Sequence, residues 1–244
     1  MHDLTIALFS FNGHQQFLSS TLTSIHRYAP PHKEIVLVWD DYVRWYPIDF
    51  DQIKNDTGVE FRVVLQSELY SWPQAIGEWG WIKQQLAKML CFQYTQTRYT
   101  WIIDGDVLLV GDPDLFHTDG RPYLRYDTKP TSPGYIDFIK KYLKLDKLFP
   151  YDFVGSTCLF DTIQCQKINE HAYRMSNMSL IDCVHDCITA EDHDLWPFSE
   201  FETYGTWIYN NCPDTHILAP RNWNYTFKEH NYTLPIQIGY ITQQ

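Results

Sequence analysis

Two carboxylates separated by one glycine, Asp104-Gly105-Asp106, follow the apolar run Tyr99-Thr-Trp-Ile-Ile103 and precede Val107-Leu-Leu-Val110. An apolar run that ends in two acids reads as a buried strand delivering both to the lip of a sheet. At i and i+2 of an extended chain they project to the same side. There they can hold one hard divalent cation and leave its other positions to phosphate oxygens and water. Acids set between apolar runs are costly unless charge or hydrogen bonds compensate them, and a metal does so. That chemistry suits a nucleotide or a nucleotide-sugar.

The elements that must position these acids alternate between strand-like and helix-like. Leu4–Phe9 reads as a buried strand, followed by the polar turn Ser10-Phe-Asn-Gly13 and a helix with Leu18, Leu22 and Ile25 on one face, stopped by Pro30-Pro31. Glu34–Trp39 is the next strand and ends in Asp40-Asp41; Val59–Leu65 is a third. A loop over 66–80 leads to a helix with Ile82, Leu86, Met89 and Leu90 as its buried stripe, and then to the strand bearing the acids. Strands alternating with helices predict right-handed crossovers and a mainly parallel sheet with ligands at the carboxyl ends. The second half is more mixed. Strands are expected at 121–126 and 153–160, and helices over 135–148, 161–175, 180–189 and from about 198 towards Asn211. The expected fold is therefore α/β, one domain over 1–244, with about 1–110 binding nucleotide and about 111–244 the acceptor and catalytic half.

Composition narrows the ligands. A net charge of −11 argues against nucleic-acid polymers, which need a basic face, and requires an anionic diphosphate to be held locally. Aromatic residues make up 16%, which suits either a ring-rich core or a cleft that stacks sugars and bases. The six cysteines form no Cys-x-x-Cys pair, so reduced thiols and a cytoplasmic setting are expected. Leu4–Phe9 is too short for a signal h-region, no membrane span is expected, and four Asn-x-Ser/Thr sequons at Asn55, Asn177, Asn224 and Asn231 read as chance.

The order of these features resembles the GT-A glycosyltransferases. It comprises a strand–turn–helix, a strand ending in Asp40, the segment Gly80-Trp-Ile-Lys-Gln-Gln-Leu-Ala-Lys88, a hydrophobic-Asp-x-Asp strand, and Phe198-Ser-Glu-Phe-Glu-Thr-Tyr-Gly205. The two segments are similar to those of a bacterial and large-virus branch. The resemblance implies a GT-A-like fold, Mn²⁺ or Mg²⁺, and a nucleotide-sugar donor, with UDP favoured, beside a glycan acceptor. It implies that Asp104 meets the donor ribose or a metal-bound water and that Asp106 ligates the metal. Ser10, Phe11, Asn12 and Asp40 would face base and ribose, with Asp41 as a substitute for Asp40. Trp81, Gln85 and Lys88 fall at i, i+4 and i+7, beside the buried stripe. In this family setting Lys88 would neutralise donor phosphate and Gln85 would bond sugar hydroxyls.

An inverting transfer needs a carboxylate base. Glu200 and Glu202 stand roughly 200° apart around a helix start, so only one can face the cleft. Ser199 and Glu202 read as a capping box, which leaves Glu200 as the base. Gly205 within that helix suggests close approach by substrate or backbone. His230, with His216 as an alternative, is the candidate third metal ligand; Asp192, His193 and Asp194 read as an acidic loop, and Arg221 beside Trp223 as a contact to diphosphate or acceptor. Two rivals stay open. One is a nucleotide-sugar nucleotidyltransferase, for which Ser10-Phe-Asn-Gly-His14 lacks a Gly-rich basic loop; the other is a non-catalytic glycan-binding protein with structural calcium at the Asp-x-Asp.

Overall fold

The computed structural model describes residues 3–10, 15–42, 48–72, 80–189, 197–221 and 227–228. Seven α and β elements among the described residues precede the strand that carries Asp104. They are β1 (Leu4–Ser10), α1 (Gln15–Tyr28), β2 (Glu34–Trp39), α2 (Phe50–Thr57), β3 (Arg62–Leu65), α3 (Gln66–Leu69) and α4 (Gly80–Met89). Then come β4 (Tyr99–Asp104), β5 (Leu108–Leu109), β6 (Tyr123–Tyr126), α5 (Pro133–Phe138), which runs on as a π-helical turn over Ile139–Leu143, and β7 (Thr157–Asp161). The chain closes with α6 (Thr162–Ser176), α7 (Leu180–Thr189), α8 (Glu200–Asn211), β8 (Ile217–Pro220) and β9 (Phe227–Lys228).

The central sheet has the order β3-β2-β1-β4-β7, parallel except for β7, which runs antiparallel to β4. β1, β2 and β4 are mainly apolar and buried because both faces are covered, whereas the edge strand β3 begins at the exposed Arg62. Side chains alternate accordingly. Leu4, Ile6 and Leu8 of β1 pack with Leu18, Leu22 and Ile25 of α1, whereas Ala7 and Phe9 pack with Ile82 and Leu86 of α4. The expected core stripes are thus all buried. Between β1 and β4 the strand order reverses direction, since the chain leaves β1 for β2 on one side and returns to β4 on the other. In open α/β sheets such a reversal point, at the strands' carboxyl ends, is where ligands bind.

Several expectations need correction. The third strand is shorter than 59–65, and part of the expected loop is the helix α3, capped from outside when Ser67 N–H donates to Asp41 at 3.0 Å. The strand expected over 153–160 begins only at Thr157, because Asp152–Ser156 is held in a loop by side chains from other elements. The helix over 135–148 starts earlier, with Pro133 in its first turn, and its π-helical continuation ends at Leu143, where Lys144 takes φ 53°. The helix α2 and the strands β5, β8 and β9 had no clear periodicity and were not anticipated.

Candidate active site

The register of the sheet brings the chemistry together. Phe9 of β1 lies opposite Asp104 of β4, Ser10 opposite Trp39 of β2, and Asp40 N–H donates to the Ser10 carbonyl at 3.0 Å. Ser10, Asp40 and Asp104 therefore share one edge, at the point where the strand order reverses. Asp104 is the last residue of its strand, and the chain then turns, with Val107 N–H donating to the Asp104 carbonyl at 3.1 Å. So the two aspartates are not two rungs of an extended strand, as the i, i+2 argument assumed. They flank a tight turn at Gly105. A Cβ there would stand 2.6 Å from the Phe9 carbonyl oxygen and 2.9 Å from Ser10, so glycine is what lets the loop press on the end of β1. The hydroxyl of Thr21 fixes this loop from α1 by donating to the Gly105 carbonyl at 3.1 Å.

Behind Asp104 stands a buried charge relay. Lys88 of α4 places Nζ 2.6 Å from Asp104 Oδ1 and 2.9 Å from Glu200 Oε1, and its side chain is 1% exposed. Burial opposes the Lys88 charge, but the two carboxylates outweigh it and hold the ammonium protonated. Burial pushes Glu200 up to about 7 against the pull of Lys88. Burial likewise raises Asp104, opposed by Lys88 and reinforced by the charge of Asp106. Gln85 completes the back wall. Oriented so that both ends of its amide are satisfied, it donates to the Glu200 carboxylate and accepts from Trp81 Nε1. The stripe of Trp81, Gln85 and Lys88 is real, but it faces the start of α8, inside the protein.

A second lysine of the same helix went unnoticed in the sequence. Lys83 Nζ lies 3.5 Å from Asp40 Oδ2, 4.7 Å above the ring of Tyr42, and both charged groups are buried. Burial raises the Asp40 carboxyl and the nearby lysine opposes it. An i+3 offset from Gly80 placed Lys83 off the stripe considered, so periodicity gave no cue. Asp41 is no substitute for Asp40: its carboxylate is engaged by the backbone N–H and hydroxyl of Ser67.

Glu202 points elsewhere. Fully buried, it forms an ion pair with Lys147, accepts from Phe153 N–H at 3.0 Å and from Thr206 Oγ1 at 3.1 Å. The expected reciprocal capping box is only half formed: Ser199 Oγ accepts from Glu202 N–H, but the Glu202 carboxylate anchors the Phe153 loop. Gly205 makes room for that loop, because a Cβ would lie 2.2 Å from the Phe153 ring. The close approach is by a protein side chain rather than by substrate or backbone. Arg221 holds the same loop. It donates to the carbonyls of Phe153 (2.9 Å) and Val154, and its guanidinium fills the space that Gly155 leaves open. The Ser156 carbonyl in turn accepts from Asp104 N–H at 3.2 Å, so Arg221 sits one short loop from the acids.

His216 is excluded as a metal ligand. It is buried against Tyr204, whose hydroxyl accepts from Asp161 N–H, and Asp161 pairs with Tyr99 at the opposite end of β4 from Asp104. Phe11, Asn12, Asp192, His193, Asp194, Trp223 and His230 lie outside the described residues.

Among the described residues no group of three or more His, Cys, Asp or Glu side chains is arranged to hold a metal. The carboxylate pair nevertheless fits a hard cation that keeps ligands from substrate and water. Asp106 is half-buried and makes no hydrogen bond or ion pair to a described residue. Asp104, Asp106 and Glu200 also set three carboxylates against the single charge of Lys88. That excess of negative charge favours a divalent cation.

By sequence, no protein family and no curated protein matches the chain. By structure it is similar to the galactosyltransferase LgtC solved with donor and acceptor sugar analogues (10% identity, TM-score 0.50). It is similar also to an active-site mutant of LgtC (13%, 0.50). Each comparison covers 90% of this chain and 73% of LgtC. GlyE from Streptococcus pneumoniae TIGR4 aligns at 12% identity and TM-score 0.47 over 91% of this chain, which spans 46% of the GlyE chain. The chain thus has a GT-A-like glycosyltransferase fold, as the resemblance implied.

Proposed function

We propose that the protein is a glycosyltransferase that moves a sugar from a nucleotide-diphosphate sugar, UDP favoured, to a hydroxyl of a glycan. The observation that carries this reading is the placement of Asp104 and Asp106 at the carboxyl edge of β4, beside Ser10 and Asp40 at the sheet's reversal point. Asp104 and Asp106 would hold Mn²⁺ or Mg²⁺ on the diphosphate. Such an ion supplies charge stabilisation to the departing phosphate oxygens. The acceptor oxygen forms the new bond to the anomeric carbon as the bond to diphosphate breaks, and the hydroxyl proton passes to the departing diphosphate or to water.

Asp40, fixed by Lys83, lies at the strand edge where ribose or base would sit, and the fully buried Ser10 supports that edge through its carbonyl without itself touching the donor. Glu200 was the expected base for an inverting transfer. Its 0% exposure behind Lys88 leaves it out of hydrogen-bond reach of an acceptor in this conformation. We assign Glu200 instead to holding the Lys88 ammonium against Asp104. Gln85 supports Glu200. No helix among the described residues is long and apolar enough to cross a membrane. The six cysteines are free thiols, which fits action in a reducing compartment.

The test is a thermal-shift panel of UDP, GDP, dTDP and CMP, each with and without Mn²⁺, on wild type and Asp106→Ala. A nucleotide at about 100 times its dissociation constant adds roughly 2.7 kcal/mol, a shift of several degrees. Stabilisation that needs one nucleotide, the metal and Asp106 together is the expected result. Stabilisation by Ca²⁺ or free glycans alone, with none by any nucleotide, would overturn the proposal in favour of a glycan-binding protein.

A further inference from the structure

The loop that leads into β7 carries an aromatic shelf that the donor chemistry leaves unused. The rings of Tyr126 and Tyr151 are parallel, with centroids 5.7 Å apart and an interplanar angle of 8°. Both stand nearly perpendicular to Phe149, at 76° and 82°, and Phe149 is itself stacked on Phe153. A shelf built on a buried ring is rigid, and Tyr151 remains 38% exposed. Tyr151 is exposed and Tyr126 half-buried, and a supported aromatic pair at the surface is the kind of patch that marks a binding site.

Polar groups surround the rings. Asp127 and Asp152 exchange backbone hydrogen bonds at the shelf, and Lys129 Nζ lies 3.7 Å from Asp127 Oδ2 and 3.9 Å from Asp152 Oδ2. Asp152 is buried and accepts from Val154 N–H, so Asp127 and Lys129 are the charged groups that solvent reaches, and this opposed pair suits a neutral polyol. The rings receive its apolar C–H face, while the charged groups bond its hydroxyls. An anionic acceptor would face the carboxylates, in a chain of net charge −11.

The shelf is also tied to the donor edge. Tyr151 is five residues from Ser156, whose carbonyl bonds Asp104 N–H, a span of at most roughly 17 Å of extended chain. Arg221, which follows the strand paired with β6, clamps the Phe153–Val154 carbonyls between them and donates its own N–H to the Tyr126 carbonyl at 2.7 Å.

We propose that Tyr126 and Tyr151 form an acceptor subsite for a neutral pyranose of a glycan, one or more units removed from the hydroxyl that reacts. This rests on the transferase reading for its role, though the sugar binding can be measured without it.

The experiment is saturation-transfer NMR with a panel of soluble β-galactosides, β-glucosides, α-mannosides and N-acetylhexosaminides, as mono- to trisaccharides. Wild type, Tyr151→Ala and Tyr151→Phe are compared, with Tyr173→Ala, an exposed ring on α6, as control. The nucleotide thermal shift is read on every variant. One saccharide class should bind wild type and the Tyr173→Ala control alike. In Tyr151→Ala its binding should weaken about 3- to 10-fold, the scale of one lost aromatic contact, and Tyr151→Phe should retain most of it. Equal binding by Tyr151→Ala, or no binding of any saccharide by a wild type that still shows the nucleotide shift, would overturn the subsite while leaving the transferase intact. Tyr151-dependent saccharide binding without any nucleotide shift would keep the sugar shelf and remove the transferase reading beneath it.

Discussion

Lys88 Nζ approaches Asp104 Oδ1 to 2.6 Å from the protein interior, so the carboxylate at the end of β4 is braced from behind by a lysine that solvent hardly reaches. The brace is itself braced, because Glu200 approaches the same ammonium to 2.9 Å. Removing the cation alone leaves buried carboxylates with no counter-charge. Lys88→Met should therefore destabilise the fold by about 3–5 kcal/mol in urea unfolding. The double variant Lys88→Met/Glu200→Gln should cost less than the sum of the two single changes, by about 0.5–3 kcal/mol of coupling. Additive losses would show that the contact carries no energy.

Asp106 stands in contrast to its partner. Half-buried and unpartnered among the described residues, it contributes little to folding, so Asp106→Asn should leave stability within about 0.5 kcal/mol of wild type. The same change should abolish the Mn²⁺-dependent part of nucleotide stabilisation. Calorimetric titration with nucleotide, with and without Mn²⁺, measures this directly. Undiminished metal dependence would move the metal away from Asp106.

The sheet was legible in the sequence because its strands are buried on both faces and leave unbroken apolar runs; Glu34–Trp39 was read with the bounds the structure shows. The acids at its edge were legible for the complementary reason, since charge after such a run stands out. What the sequence hid is how long side chains cross between elements. Nothing local says that Lys88 is buried between Asp104 and Glu200, that Lys83 serves Asp40, or that Glu202 reaches the backbone of Phe153. Each pairing joins residues at least 16 positions apart along the chain, and an amphipathic wheel ranks those lysines as surface. Residues 153–156 were misread as strand because Phe153 and Val154 are β-formers, whereas Glu202 and Arg221 take their backbone groups out of the ladder.

Gly205 makes that tertiary control testable. In an isolated helix Gly→Ala gains about 1 kcal/mol. Here the new methyl would meet the Phe153 ring at 2.2 Å and its Cβ at 2.8 Å, on a loop pinned by Glu202 and Arg221. Gly205→Ala should thus destabilise by about 1–3 kcal/mol. Adding Phe153→Leu should cost less in the Gly205→Ala background than in wild type, as judged by urea midpoints at unchanged slope. A stabilised Gly205→Ala protein would mean that the loop moves freely aside.

His216, set aside as a ligand, offers a cleaner handle on acid stability. Asp161 N–H donates to the Tyr204 hydroxyl at 2.7 Å, so the Tyr204 proton turns to His216 Nε2 at 2.9 Å. The proton on the ring then belongs on Nδ1, facing Thr215 Oγ1 at 2.8 Å, and the Thr215 hydroxyl donates onward to the Cys212 carbonyl at 2.7 Å. Every donor in this chain has an acceptor only while the imidazole is neutral. Burial first, and the charge of Arg98 second, push the His216 pKa down to about 4. Between that value and the ordinary 6.5 the unfolded chain binds more protons than the folded one. The contribution of His216 is therefore complete above pH 6.5 and lost as pH falls through this window. From pH 7 to about 4.5 the loss should be on the order of 2 kcal/mol. His216→Gln, which cannot take up a proton, should lose correspondingly less over the same range, so urea unfolding of both proteins at the two pH values isolates the histidine from the carboxylates that also titrate there. Equal losses in the two proteins would show that the ring protonates without breaking the chain of hydrogen bonds around Tyr204.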